Sequence, residues 1–248
     1  MDALVASLPI QTQKGGFFAD PSLWTEAGMK EVCETMLAVD RCFYCPPSER
    51  PYAHICPAIG VNSAGRVTIS KPLVHAFFLH QCCQWLNKQG AEGDLVGTKV
   101  LDVGSGSGYL TAALARLLIR RGVAEFAVVG IDVTEELVNL GRCNLQNDES
   151  NASLPVTFRC EDAWQLCHPD DGEYGFIAVS AAAPCPQPPM ALLQRLAICG
   201  LLICPVSTGQ DDEQCFVAVT RTGPGIGTDN FTEPEVLCPA KFVPLVRN

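Results

Sequence analysis

The apolar run KVLDV (99–103) leads directly into Gly104-Ser105-Gly106-Ser107-Gly108, and that loop opens the helical pattern LTAALARLLIRR (110–121). A second apolar run, VVGID (128–132), then ends on an acid. Glycine at three alternate positions removes the Cβ atoms that would hold a bound molecule away from the backbone. The helix that follows turns its free N–H groups toward the same place. Strand, glycine loop, helix and acid-ended strand form a parallel βαβ unit with a nucleotide-type ligand over the carboxyl ends of the strands. Few other folds accept this order of elements.

The glycine spacing narrows the ligand. Dinucleotide sites space their glycines G-x-G-x-x-G, so that backbone reaches a pyrophosphate and the third glycine packs helix on sheet. Here the third glycine falls one position early, at Gly108, and Tyr109 takes the slot that wants a small residue. A G-x-G-x-G loop after a strand containing Asp102 resembles S-adenosylmethionine-dependent methyltransferases, whose cofactor has no pyrophosphate to cradle. Asp132, at the end of the next strand, is placed to accept hydrogen bonds from two ribose hydroxyls.

From residue 98 onward, helical and extended patterns alternate, which predicts an α/β sheet of the Rossmann-like methyltransferase type with helices on both faces. Residues 1–97 read as an N-terminal helical and loop extension and residues 98–248 as the cofactor-binding core, together one compact domain. Asp20-Pro21 resembles a helix start, and Val32, Met36 and Leu37 give a helical stripe. Residues 45–65 are rich in Pro and Gly and read as a long irregular loop. Pro72 opens a helix that Gly90 stops, and Thr134 is a candidate N-cap ahead of Glu135 and Glu136. Strands are expected at 156–160, 174–180, 200–206 and 215–220, the last two joined by a polar turn through Gly209.

Net charge sets limits on partners. At −10 the chain lacks the basic balance that attracts phosphate backbones, so no nucleic-acid partner is expected. No apolar run approaches the ~20 residues that span a bilayer and no leader pattern opens the chain, so no membrane association and a cytoplasmic location are expected. The 14 cysteines then read as reduced thiols, several of them in apolar runs where a thiol is a small hydrophobe. Cys42, Cys45, His54 and Cys56 have the ligand types for zinc, but no second C-x-x-C completes a set, and no metal is expected.

Several segments outside the glycine loop carry a closer likeness. VCETMLAVDR (32–41), VTISKPLVHA (67–76), KVLDVGSGSGYLTA (99–112), VVGID (128–132), VSAAAP (179–184) and FVPL (242–245) resemble, in order and spacing, the protein-L-isoaspartate (D-aspartate) O-methyltransferase family. VTISKPLVHA and VSAAAP discriminate best, because many methyltransferases share the glycine loop. The resemblance implies a methyltransferase fold with rearranged strand order at its C-terminal end and S-adenosylmethionine as cofactor, with S-adenosylhomocysteine as product. The implied reaction methylates the free carboxylate of L-isoaspartyl and D-aspartyl residues in damaged proteins. Isoaspartyl peptides and proteins are the implied partners, and a monomer is expected.

The same resemblance implies the site. Ser70 is the catalytic candidate and a substrate contact, together with Ala182, Val243 and Pro244. Cofactor contacts fall to Val67, Thr68, Ile69, Ser70, His75, Asp102, Gly104, Ser105, Gly106, Gly108, Asp132, Val133, Asp162 and Ala163. Ser70 also has a purely structural reading as the cap of the Pro72 helix, and His75 as a core histidine on an apolar helix face. Departures from the family pattern are Glu161 and Ala163 around Asp162 in place of glycines, Gly175 for an aspartate, Ala178 for a histidine, and Cys199 for the first glycine of a Gly-Gly turn. They leave two other readings open: a methyltransferase with another acceptor, and a weakly active relative that serves as a binding protein.

Overall fold

Seven strands form the central sheet of the computed structural model, which describes residues 20–48, 57–62, 65–90, 97–166, 172–209, 212–225 and 227–247. In chain order these strands are β3 (Thr98–Val103), β4 (Phe126–Asp132), β5 (Val156–Cys160), β6 (Tyr174–Val179), β7 (Leu196–Ser207), β8 (Gln214–Thr220) and β9 (Glu235–Ala240). They lie side by side as β5-β4-β3-β6-β7-β8-β9. The pairs among β5, β4, β3, β6 and β7 are parallel, and β8 and β9 add antiparallel strands in chain order. The order reverses between β4-β3 and β6, so the crevice above the carboxyl ends of β3, β4 and β6 is the expected ligand position.

Among the described residues five α-helices accompany the sheet: α1 (Glu26–Leu37), α2 (Pro72–Gly90), α3 (Tyr109–Arg120), α4 (Glu135–Asn147) and α5 (Met190–Leu193). The first four share one core with Val100, Val128, Phe176, Ile203 and Phe216 from one sheet face. On the opposite face Leu101, Val129, Ile177 and Leu202 pack against the short α5, residues 163–166 and Leu245. Helices thus cover both faces, unequally. Helix α2 explains the Cys82-Cys83 pair: with Phe77, Phe78, Leu79, Cys82, Cys83 and Leu86 all buried it is apolar nearly all round, and both thiols are core atoms. Each fully buried Phe or Leu contributes about 1.5–3 kcal/mol. Phe77, Phe78 and Phe242 all pack on Phe216 at centroid distances of 4.8, 5.4 and 5.2 Å, which ties α2 and the C-terminal segment to β8.

The extension departs from the sequence reading in places. The first helix starts at Glu26 with Thr25 as its cap, the Thr25 hydroxyl accepting from Gly28 N at 3.2 Å. Asp20 instead caps a 3₁₀ turn, Pro21–Leu23, and the Thr25 N–H donates to His80 Nε2, which fixes the break between turn and helix. Val32 and Met36 are buried as the stripe requires, whereas Leu37 faces outward. Within the presumed loop 45–65, and just beyond it, a hairpin forms from β1 (Ala58–Asn62) and β2 (Gly65–Thr68). Thr134 occupies the cap position of α4 without a side-chain bond; the Asp132 carboxylate accepts from its N–H instead. Strand β7 begins earlier than expected, and β9 was hidden by Pro239, which an edge strand tolerates because one row of its N–H groups has no ladder partner.

Two departures from the family pattern have a structural account. A Cβ at Gly175 would lie 2.6 Å from Cζ2 of Trp85, so the indole fills the space a side chain there would take. Its Nε1 donates to the Cys199 carbonyl at 3.1 Å, as does Gln89 Nε2. Cys199 itself has φ +62°, the left-handed region that a glycine would occupy without cost. An L-residue there is strained by about 1–2 kcal/mol, and glycine would return about 0.5–1 kcal/mol of that as unfolded-chain entropy. Cys199→Gly is therefore expected to raise stability by about 0.5–1 kcal/mol, read as a higher urea midpoint at unchanged slope.

Candidate functional site

The glycine loop is fastened before any ligand enters. Gly104 N and Ser105 N both donate to the Ile131 carbonyl at the end of β4, at 2.8 and 3.0 Å. Gly106, at φ +49°, then turns its N–H onto Asp132 Oδ2 at 3.1 Å, while Asp132 Oδ1 takes Thr134 N at 3.4 Å. Asp132 therefore stands at the cavity with two backbone donors behind it. Burial holds its carboxyl above the ordinary value despite those donors.

Beside it, Asp102 is fully buried under α3, and Thr111 Oγ1 donates to Asp102 Oδ2 at 2.6 Å. Burial pushes the Asp102 carboxyl up to about 7. Asp102 Oδ1 and the Ser105 hydroxyl have no hydrogen-bond partner among the described residues, although both residues border the cavity. Buried polar atoms left open at a cavity wall fit a ligand that supplies their partners.

That cavity has a volume of about 730 Å³ and extends from the glycine loop to the end of β2. It brings together most of the predicted residues: Val67, Thr68, Ile69, Ser70 and His75 on one side, and Asp102, Gly104, Ser105, Gly106, Asp132, Val133 and Ala163 on the other. Val243 and Pro244 line it as well. Ser70 is half-buried on the wall, and its hydroxyl makes no bond to the first turn of α2 among the described residues. The cap is backbone: the Lys71 carbonyl accepts from Val74 N and His75 N at 3.0 and 3.4 Å. The purely capping role for Ser70 is thereby removed.

Three predicted residues stand elsewhere. Gly108 lies behind the loop, where a Cβ would sit 2.8 Å from Phe158 Cζ and 3.1 Å from Gly141 Cα, so it packs α3 against α4 and β5. Asp162 spends Oδ1 on Trp164 N at 2.8 Å in its own turn; its neighbours Glu161 and Ala163 border the cavity instead. Ala182 touches the site indirectly, its N–H donating to Val243 O and its carbonyl accepting from Leu245 N, each at 2.8 Å. It holds the C-terminal segment in place. Trp164 and Gln214 secure the same segment through Leu245 O and Phe242, and Arg247 stacks on the Trp164 ring.

Sequence reasoning missed the apolar lining residues Ile59, Leu137 and Phe242, and the two lysines, Lys71 and Lys241, that also border the cavity. Glu161 carried a signal, since like Asp132 it stands at the carboxyl end of a strand. Of the zinc candidates, Cys42 is half-buried and Cys45 buried, and His54 and Cys56 lie outside the described residues. Among the described residues no three His, Cys, Asp or Glu side chains converge on a metal position. No helix among them is long and apolar enough to cross a membrane.

Comparison with known proteins agrees with this geometry. The family profile described as protein-L-isoaspartate(D-aspartate) O-methyltransferase matches residues 25–248. A protein-L-isoaspartate O-methyltransferase of Triticum aestivum is 35% identical over 187 residues, covering 74% of this chain and 73% of that protein. Protein-L-isoaspartate O-methyltransferase 1 of Arabidopsis thaliana is 33% identical over 190 residues, with the same coverage. A Plasmodium falciparum protein, solved in complex with S-adenosyl-L-homocysteine as a protein-L-isoaspartate O-methyltransferase, superposes with a TM-score of 0.74 at 25% identity, over 100% of this chain and 98% of that one. The chain belongs to the protein-L-isoaspartate(D-aspartate) O-methyltransferase family.

Proposed function

We propose that this chain transfers the methyl group of S-adenosylmethionine to the free carboxylate of L-isoaspartyl and D-aspartyl residues in damaged proteins, the first step of their repair. One observation carries the reading: an uncommitted Ser70 hydroxyl borders the same cavity as the glycine loop and Asp132. The cofactor supplies an electrophilic methyl; the C–S bond breaks as the C–O bond forms, and the electron pair leaves with sulfur. An isoaspartyl carboxyl, with an ordinary pKa near ~4, is already ionised at pH 7, so no general base is required.

What remains for the protein is placement and exclusion of water. Asp132 would accept from the ribose hydroxyls, and Asp102 Oδ1 and the Ser105 hydroxyl would meet other polar groups of the cofactor. At the β5 end Glu161 and Ala163, which border the cavity beside Asp162, would face the ligand. Ser70 donates to the acceptor carboxylate and orients one oxygen toward the methyl. Val243 and Pro244 border the acceptor, and Ile59, Leu137 and Phe242 keep water away.

Calorimetry with S-adenosylhomocysteine, followed by methylation assays on paired isoaspartyl and aspartyl peptides, tests the reading. Binding with methylation of the isoaspartyl peptide alone is expected. Binding without methylation of either peptide would favour another acceptor, and absence of binding a silent relative. Ser70→Ala is expected to lower kcat on the isoaspartyl peptide by about 10–100-fold, the loss of one hydrogen bond to a charged group at about 1.5–3 kcal/mol. Its affinity for S-adenosylhomocysteine should change little. Unchanged turnover would leave Ser70 without a part in transfer.

A further inference from the structure

Arg41 has no exposed surface. It begins a 3₁₀ turn, Arg41–Tyr44, whose Asp40 cap accepts from Cys42 N at 3.0 Å. From there the guanidinium reaches three places at once. Nη1 lies 2.8 Å from His75 Nδ1, Nη2 donates to the Ser70 carbonyl, and Cζ stands 5.1 Å from the centroid of the Tyr109 ring, at the start of the helix after the glycine loop. The His75 ring itself lies 4.9 Å from that of Tyr109.

The chemistry of the first contact is one-sided. A guanidinium has only donors, so the His75 nitrogen facing it must offer a lone pair. Burial, and secondarily the Arg41 charge, hold the imidazole well below its ordinary pKa, so the ring is neutral with its proton on the other nitrogen. Among the described residues the His75 ring makes its one hydrogen bond through Nδ1, which leaves Nε2 open, and His75 borders the cavity. The Ser70 carbonyl bond fixes the peptide whose side chain is the uncommitted hydroxyl.

We infer that Arg41 is a positioning residue for transfer: it locks His75 as the neutral Nε2–H tautomer and anchors the Ser70 peptide, so that an N–H and an O–H donor face the cavity together. Two donors on one wall suit oxygen acceptors of anionic ligands, carboxylates above all. The inference rests on the methyl-transfer reading for what those donors hold, and not for the tautomer.

Nitrogen-15 NMR of the histidine-labelled full chain at pH 7.5, with the His75 signals assigned by their loss in His75→Gln, tests it. Wild-type His75 is expected to show an unprotonated Nδ1 and a protonated Nε2. In Arg41→Met the single tautomer should give way to a mixture, and kcat on an isoaspartyl peptide should fall by about tenfold or more while the peptide KM changes less than about threefold. Arg41→Lys, which keeps a charged donor in the buried site, should restore the tautomer and part of kcat; it also serves if the methionine variant fails to fold. A protonated Nδ1 in the wild type, a folded Arg41→Met with the tautomer or kcat unchanged, or a folded Arg41→Lys that loses the single tautomer while keeping full kcat, would overturn the inference. If the wild type shows the expected tautomer but methylates no isoaspartyl peptide, the functional reading fails while the locked histidine stands.

Discussion

Gly108→Ala is expected to destabilise the protein by about 2–5 kcal/mol, a large share of the 5–15 kcal/mol that typical domains possess. Two costs add. At φ +83° a Cβ strains the backbone by about 1–2 kcal/mol. The new methyl also meets Phe158 Cζ at 2.8 Å, Gly141 Cα at 3.1 Å and Gly141 O at 3.2 Å, and overpacking of that kind costs about 1–3 kcal/mol. Phe158 cannot swing aside freely, because its ring is equally close to where a Cβ of Gly130 would stand, wedged between β4 and α4. Urea unfolding reads the loss, and a change below about 1 kcal/mol would show that α3 and α4 can move apart. The expected sequel is that any folded fraction still binds cofactor, since Gly108 lies outside the cavity lining. Loss of binding at full stability would place Gly108 in the site after all.

The βαβ unit was legible because its signals are local. KVLDV, the glycine loop and VVGID are short contiguous patterns, and the structure returns them as β3, the loop and β4 with Asp132 at the ligand crevice. The likeness in VTISKPLVHA located Ser70 and His75 on the same cavity for the same reason. Less legible was what depends on how side chains and segments pair in space. Asp162 stands between Glu161 and Ala163, which border the cavity, and one of its carboxylate oxygens accepts from Trp164 N. Ala182 works through Val243 and Leu245, some 60 residues later in the chain, a pairing no spacing rule foretells. Arg41 entered only as one letter of VCETMLAVDR; its meaning depends on His75, Ser70 and Tyr109 converging on it. Pro and Gly between 45 and 65 concealed the β1–β2 hairpin, because such residues mark turns without saying whether strands flank them.

Asp132→Ala is expected to weaken S-adenosylhomocysteine binding by about 10²–10⁴-fold, because hydrogen bonds from two ribose hydroxyls to one buried carboxylate contribute about 1.5–3 kcal/mol each. Asp132→Asn, which keeps one acceptor oxygen, should lose about tenfold. The pH dependence gives the claim a sign. Burial raises the Asp132 carboxyl above its ordinary value, and ribose hydroxyls bind the ionised form better. Affinity is therefore full above the raised pKa and falls as pH drops through it, a dependence the asparagine variant should lack. Stability runs the other way. A carboxyl whose folded pKa is raised contributes most to the fold below its unfolded pKa, and that contribution is lost as pH climbs through the folded value. At pH 7.5 the unliganded Asp132→Asn protein should thus be at least as stable as wild type, although Gly106 N and Thr134 N keep only one oxygen that can accept from them. A charge kept in a buried place at a cost to the fold, and recovered when ligand binds, is what separates a binding residue from a structural one. Parallel loss of stability and affinity in Asp132→Asn would reduce Asp132 to a brace for the loop.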